Sequence, residues 1–243
     1  MNLTFDKSRI IRVLQREHMG KHSCDPQGIV DIINQNVGSR EAEGDLQEMI
    51  DAGFSEEHII RSLNYDISRL VDMHKYAEGI RGKNILEIGC GANVGCTEGS
   101  NYQARELSSL GGNVVGLDID SSPNENYRHI QVDLLRTPIR AVLPSGFKPD
   151  IAIAKMFFDS PKLARRLRKG INPSFVEDIC GEVYEMLPQG GIFFTQAESI
   201  ESLSSFSKNQ RDVPNEGERI LEKLGFKNIG EMESACLEAY RKM

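Results

Sequence analysis

The sequence predicts an α/β fold in which a helical N-terminal segment precedes a doubly wound, mostly parallel sheet. After Gly82 the short apolar runs NILEI, VVGLD, HIQV, DIAIA and GIFFT recur with helical stretches between them. Runs of this kind belong to strands covered on both faces, as in a parallel sheet sandwiched by helices. Before Gly82 the apolar residues repeat at helical spacing instead. The C-terminal GFKNIGEMESACLEAYRKM reads as two more strands joined by a tight turn.

Taken in order, the N-terminal stripes are Ile10, Val13 and Leu14, then Ile29, Ile32 and Ile33, then Leu46, Met49 and Ile50, then Ile67, Leu70, Val71 and His74. Each follows an i, i+3, i+4 pattern. Breaks are expected at Gly20 to Pro26, at Gly38-Ser39 and at Gly53-Phe54, so four or five short helices should fill the segment. Ser55, followed by Glu56 and Glu57, has the form of an N-cap with acids in the first turn. In the sheet region, helices are expected over 99–110, 161–168, 174–187 and 215–224. The chain thus divides into a helical N-terminal cap or extension, 1–81, and an α/β domain, 82–243.

The 243 residues are 39% hydrophobic and 27% charged, the composition of a folded chain and not of a disordered one. No apolar run approaches the roughly 20 residues that span a bilayer, and MNLTFDKSRIIRVLQREH lacks a signal-peptide core, so a cytoplasmic protein is expected. Five scattered cysteines, Cys24, Cys90, Cys96, Cys180 and Cys236, suit reduced thiols better than a disulfide framework. A net charge of −7 argues against a surface that is basic throughout, and so against a nonspecific nucleic-acid binder.

The chemistry concentrates in the loops that follow the first three runs. LEIGCG, Leu86 to Gly91, lies where the first strand-to-helix loop of a doubly wound sheet passes the topological switch point, and its glycines let a nucleotide approach the backbone. Glu87, two residues before Gly89, is unsuited to a pyrophosphate but suited to a cofactor bearing an ammonium and a sulfonium. Val94 stands where a dinucleotide fingerprint has its third glycine, which further separates the loop from nicotinamide binders. Asp118 ends VVGLD, where a carboxylate can accept hydrogen bonds from both ribose hydroxyls, with Ile119 along the adenine. Asp133 in HIQVDLL can accept from the adenine amino group while Leu134 packs on the ring. Cys90, between the glycines, and Lys155, past the fourth run, complete the set of cofactor-facing residues.

LEIGCG, VVGLDID, HIQVDLL, DIAIAKMFF and MLPQGGIFF, in this order, resemble the successive motifs of class I S-adenosylmethionine-dependent methyltransferases. The resemblance covers residues 82–243. It implies a Rossmann-like sheet of seven strands with an antiparallel last strand, S-adenosyl-L-methionine as cofactor, and methyl transfer as the activity. By position it places Glu87, Gly89 and Gly91 around the methionine moiety, Asp118 at the ribose and Asp133 at the adenine. Two features depart from the family pattern. Glu87 and Asp118 lie 31 residues apart, with the excess in ANVGCTEGSNY, and AKMFF lacks the Asn-Pro-Pro-Tyr-like tetrad of enzymes that methylate adenine or glutamine amino groups.

Other groupings have plainer readings. His18, His22, Cys24 and Asp25 read as solvated polar residues at a helix end, and no metal is expected. Lys162, Arg165, Arg166, Arg168 and Lys169 form either a solvated helix face or a patch that recruits an anionic acceptor. Phe157 and Phe158 could line the acceptor pocket or enter the core. No general base stands out, although Asp159 and His129 are available. The acceptor is expected to be a small molecule or a protein in preference to nucleic acid. The alternative function is a catalytically silent S-adenosylmethionine-binding scaffold, and a nicotinamide oxidoreductase is disfavoured by Glu87 and Val94.

Overall fold

The computed structural model describes residues 6–19, 25–42, 44–91, 102–155, 157–168, 172–208, 215–232 and 237–243. The chain divides into two compact units, Met1–Ile80 with Met232–Ala235, and Arg81–Glu231 with Cys236–Met243.

The first unit contains α1 (Lys7–Met19), α2 (Pro26–Ala42), α3 (Asp45–Asp51) and α4 (Glu56–Tyr76). The predicted stripes supply its core: Ile10, Leu14, Ile29, Ile32, Ile33, Leu46, Ile67, Leu70 and Val71 are all buried. Ser55 caps α4 as expected, its side chain accepting from the His58 backbone N–H at 3.2 Å. The break expected at Gly38-Ser39 does not occur, because α2 runs through it to Ala42. A lone helical glycine costs only about 1 kcal/mol relative to alanine, which the burial of Ile32, Ile33 and Val37 outweighs. His18 is not the solvated residue expected but is buried, with its Nε2 2.7 Å from Asn64 Oδ1 across 46 residues of chain. His22 and Cys24 lie outside the described residues.

His74, on α4, packs against Gly28 of α2, and burial lowers its pKa against the raising effect of Asp25 and Asp31. The fold therefore favours the neutral ring, and the unfolded chain takes up the proton first as the pH falls through about 6.5. Melting of the helical signal should shift to lower temperature between pH 7.5 and 5.5, and His74→Asn should reduce that shift. An equal shift in both proteins would place the pH sensitivity elsewhere.

The second unit contains β1 (Asn84–Ile88), α5 (Tyr102–Ser109), β2 (Asn113–Asp118), β3 (Arg128–Gln131), α6 (Ile139–Val142), β4 (Ile151–Ile153), α7 (Pro161–Leu167), α8 (Phe175–Met186), β5 (Ile192–Thr195), α9 (Ala197–Lys208), α10 (Glu216–Leu224), β6 (Phe226–Glu231) and β7 (Glu238–Lys242). All seven expected strands form one sheet, in the order β3-β2-β1-β4-β5-β7-β6. The pairs among β1 to β5 are parallel, while β7 runs antiparallel between β5 and β6. The dinucleotide-binding order 3-2-1-4-5-6 has no such inserted strand. The last two strands are not joined by a tight turn, since residues 232–237 intervene.

One face of the sheet, through Leu86, Ile88, Val115, Leu117, Ala152, Phe193 and Tyr240, shares a core with Val176, Ile179, Cys180 and Val183 of α8 and with Ile200, Leu203, Ile220 and Leu221. That core explains α9. AESIESLSSFSK is rich in serine and weak in intrinsic helix preference, and no helix is expected there from sequence, yet Ile200 and Leu203 are buried on it. The short α6 was likewise unexpected. No helix among the described residues is long and apolar enough to cross a membrane. Cys90 and Cys180 are free and buried.

Candidate functional site

The topological switch point lies between β1 and β4, because the chain builds outward from β1 through β2 to β3 and then returns to add β4 on the other side. In open α/β sheets ligands bind outside the carboxyl ends of the strands at such a point. Glu87, Asp118 and Asp133 lie within or just beyond β1, β2 and β3 respectively.

Glu87 is buried, 5% exposed, and shares a row of the sheet with Gly116 and His129 through the parallel register. The loop after β1 is tied to the end of β2: the N–H groups of Gly89 and Cys90 donate to the Leu117 carbonyl at 2.8 and 3.2 Å. Gly89 and Gly91 adopt φ of 71° and 81°, the left-handed region that disfavours a side chain. A Cβ on Gly89 would also stand 2.9 Å from Phe157 Cβ. This glycine loop therefore rests on Phe157, whose ring also meets Phe158 and Phe175 at centroid distances of 5.2 and 6.1 Å. Phe158 enters the core, and Phe157 packs against the same core from a partly buried position.

Asp118, partly exposed, accepts from the Gly91 N–H through Oδ2 at 3.0 Å and from the Asp120 N–H through Oδ1 at 2.9 Å. An ionised carboxylate offers about four acceptor positions, so roughly two remain for other donors. Asp133 contrasts with it. Arg166 forms a bidentate pair, Nη1 to Oδ1 at 2.9 Å and Nη2 to Oδ2 at 2.6 Å, and the Leu135 N–H also donates to Oδ1 at 3.2 Å. Arg136 Nε lies 3.5 Å from Oδ2. These contacts, Arg166 foremost, hold the Asp133 carboxyl below the usual carboxylate range.

Among the other expected site residues, Ile119 is partly buried and its carbonyl accepts from Gln131 Nε2 at 3.1 Å. Leu134 packs against the core from a partly buried position, and Lys155, two residues past β4, is also partly buried. Cys90 is enclosed: its Sγ lies 3.6 Å from His129 Nδ1 and 3.7 Å from the Tyr127 hydroxyl. Gly116 makes room for this group, since a Cβ there would stand 2.6 Å from the Tyr127 ring and 2.8 Å from Cys90 Sγ. Burial, then the negative charge of Glu87, pushes the Cys90 thiol well up, so it is no thiolate nucleophile at neutral pH. His129 is engaged at both nitrogens, with Nε2 2.9 Å from the Asp120 carbonyl and Nδ1 3.3 Å from the Tyr127 hydroxyl. Asp159 is exposed.

The basic cluster does not act as one block. Lys162 Nζ lies 3.1 Å from both carboxylate oxygens of Asp120, and Arg166 is paired with Asp133. Arg165 donates to the Pro161 carbonyl at 3.1 Å, and Arg168 stands at the C-cap of α7. Lys169 lies outside the described residues, as do Val94 and nearly all of the ANVGCTEGSNY excess. Sequence reasoning missed Asp120 and Tyr127. A usable signal for Asp120 was present in the Asp118-x-Asp120 spacing together with Lys162 and Arg166 one helical turn apart.

No protein-family model matches the chain, and no curated protein sequence matches it significantly. Solved structures do. A TehB-like SAM-dependent methyltransferase from Corynebacterium glutamicum is 17% identical over 84% of this chain and 97% of its own, with a TM-score of 0.47. The N-methyltransferase NodS from Bradyrhizobium japonicum is 13% identical over 73% of this chain and 96% of its own, at a TM-score of 0.45. The 1,6-didemethyltoxoflavin-N1-methyltransferase from Burkholderia thailandensis, solved with S-adenosylhomocysteine, is 13% identical over 71% of this chain and 76% of its own, at 0.43.

Proposed function

We propose that this chain is an S-adenosylmethionine-dependent methyltransferase. The observation that carries the reading is the series Glu87, Asp118 and Asp133 at the carboxyl ends of three adjacent parallel strands beside the switch point. The donor set fits the cofactor: carboxylates suit an ammonium, a pair of ribose hydroxyls and an exocyclic amine, and they do not suit a pyrophosphate. Asp118 keeps acceptor positions for the ribose hydroxyls, Glu87 lies where a positive methionine moiety is favoured, and Ile119 and Leu134 offer apolar contact to the adenine. Gly89 and Gly91 let the loop backbone come close.

The cofactor supplies a methyl group activated by its sulfonium. The chain's contribution is to hold the cofactor and to align an acceptor lone pair with that methyl, a source of much of the acceleration in such reactions. With His129 engaged at both ring nitrogens and Cys90 held as a thiol, the exposed Asp159 is read as the base for an acceptor that needs one. The N-terminal segment, with 14 acidic and 10 basic residues in 1–81, is a poor docking arm for nucleic acid, and the acceptor is read as a small molecule or protein. Arg165, exposed on α7, is read as a candidate for contact with an anionic acceptor, and the chain is read as cytoplasmic.

Incubation of the full chain with methyl-labelled cofactor and fractionated cell extract should move label into one acceptor fraction and release S-adenosylhomocysteine. Binding without release would instead favour the silent scaffold, and absence of binding would remove the cofactor reading. A chain beginning at Arg81 should retain cofactor binding and lose methyl transfer; transfer undiminished by that truncation would show that the N-terminal helices take no part in it.

A further inference from the structure

Asp133 has partners that conflict with its role in cofactor binding. The adenine amino group needs an acceptor, yet three of the roughly four acceptor positions on this carboxylate already take hydrogen bonds and Arg136 faces the fourth. The strongest of these partners, Arg166, comes from α7, whose start is set by Ser160, the side chain accepting from the Leu163 N–H, and by Pro161 in the first turn.

The helix has two working faces. Leu163 and Leu167 are buried in the core and anchor it. Lys162 and Arg166, four residues apart, stand about one helical turn apart on another face, a rise of about 6 Å. Neighbouring strands are about 4.8 Å apart, so two cations at this spacing match carboxylates at equivalent positions of adjacent strands. Asp120 and Asp133 occupy such positions, each two residues beyond the end of its strand, β2 or β3. Lys162 with Asp120 is the more exposed pair and contributes little by itself, whereas Arg166 with Asp133 is bidentate and about three-quarters shielded.

We propose that α7 is a latch over the adenine end of the cleft, in which Arg166 holds the acceptor positions of Asp133 until the adenine amino group takes one of them. The proposal rests on reading the cleft as an S-adenosylmethionine site. Because the leucine face keeps α7 in place, opening requires movement of the Arg166 side chain and not loss of the helix. A latch lowers apparent affinity by the fraction of molecules in which it is open. Arg166 thereby sets how readily an adenosine group enters.

Calorimetry of S-adenosylhomocysteine binding to the full chain tests this with wild type, Arg166→Ala and Arg166→Lys. Arg166→Ala should bind about tenfold more tightly than wild type, with Arg166→Lys between them because an ammonium cannot bridge both oxygens. Raising salt to about 0.5 M should narrow the gap between wild type and Arg166→Ala, since screening weakens the closed latch only where it exists. Wild-type binding with Arg166→Ala equal or weaker would overturn the latch and leave the cofactor reading intact. If no variant and no wild type bound S-adenosylhomocysteine, the cofactor reading would fail and the latch with it. Arg166→Lys, which keeps charge and length, guards against an unfolded alanine variant.

Discussion

Asp118→Ala is expected to weaken S-adenosylhomocysteine binding by about 5- to 150-fold, the loss of roughly 1–3 kcal/mol that accompanies removal of a charged hydrogen-bonding partner. The effect has two parts. The ribose hydroxyls lose their acceptor, and the N–H groups of Gly91 and Asp120, now held at 3.0 and 2.9 Å, lose the carboxylate that fixes both loops. Asp118→Asn separates the parts, because an amide keeps one acceptor oxygen but turns its NH2 toward a backbone donor. It should therefore bind with intermediate affinity. Calorimetry at fixed pH and salt measures all three proteins, and unchanged affinity in Asp118→Ala would remove Asp118 from the site. A drop in melting temperature with no change in affinity would leave it only a structural tie.

The largest expected effect on stability lies away from the cleft, at Gly217. Here α10 crosses α9 so closely that a Cβ would stand 1.9 Å from the Ala197 carbonyl oxygen, 2.7 Å from its carbon and 3.0 Å from the Glu201 nitrogen. All three are backbone atoms, so no rotamer change relieves the overlap and the helices must separate. Overpacking of this kind costs about 3 kcal/mol or more, which lowers the melting temperature by about 6–12 °C in a domain of this size. Gly181→Ala is the matched control. Its Cβ would meet only Leu224 Cδ2 at 3.9 Å, so the substitution should gain a few tenths of a kcal/mol to about 1 kcal/mol from helix preference. Both variants should bind S-adenosylhomocysteine normally while folded. Equal melting temperatures would mean that the helices do not approach so closely.

Where sequence reading succeeded, neighbouring residues carried the information. The five parallel strands are short apolar runs bounded by polar turns, and the stripes of α1, α2 and α4 are buried as their spacing requires. Ser55 was readable as a cap because the acceptor and the donor it serves lie three residues apart. Where it failed, a distant partner overrode local preference. Gly38 does not end α2, the serine-rich α9 is helical, and β6 and β7 are joined by a longer connection than a tight turn.

The site divides along the same line. The amino-acid sequence by itself determined that carboxylates would stand within or just beyond the first three strands and that glycines would flank Cys90, because strand ends and loop residues are local properties of the chain. It left the basic cluster open between a solvated face and an anion site. Only tertiary structure decided that Lys162 meets Asp120 and Arg166 meets Asp133, pairs separated by 42 and 33 residues. It likewise decided that Cys90 and His129 close on each other across 39 residues. Coulombic and hydrogen-bonding partners are set by distance in space. Periodicity along a chain specifies which face a side chain occupies, but the group it meets there depends on how the strands and helices pack.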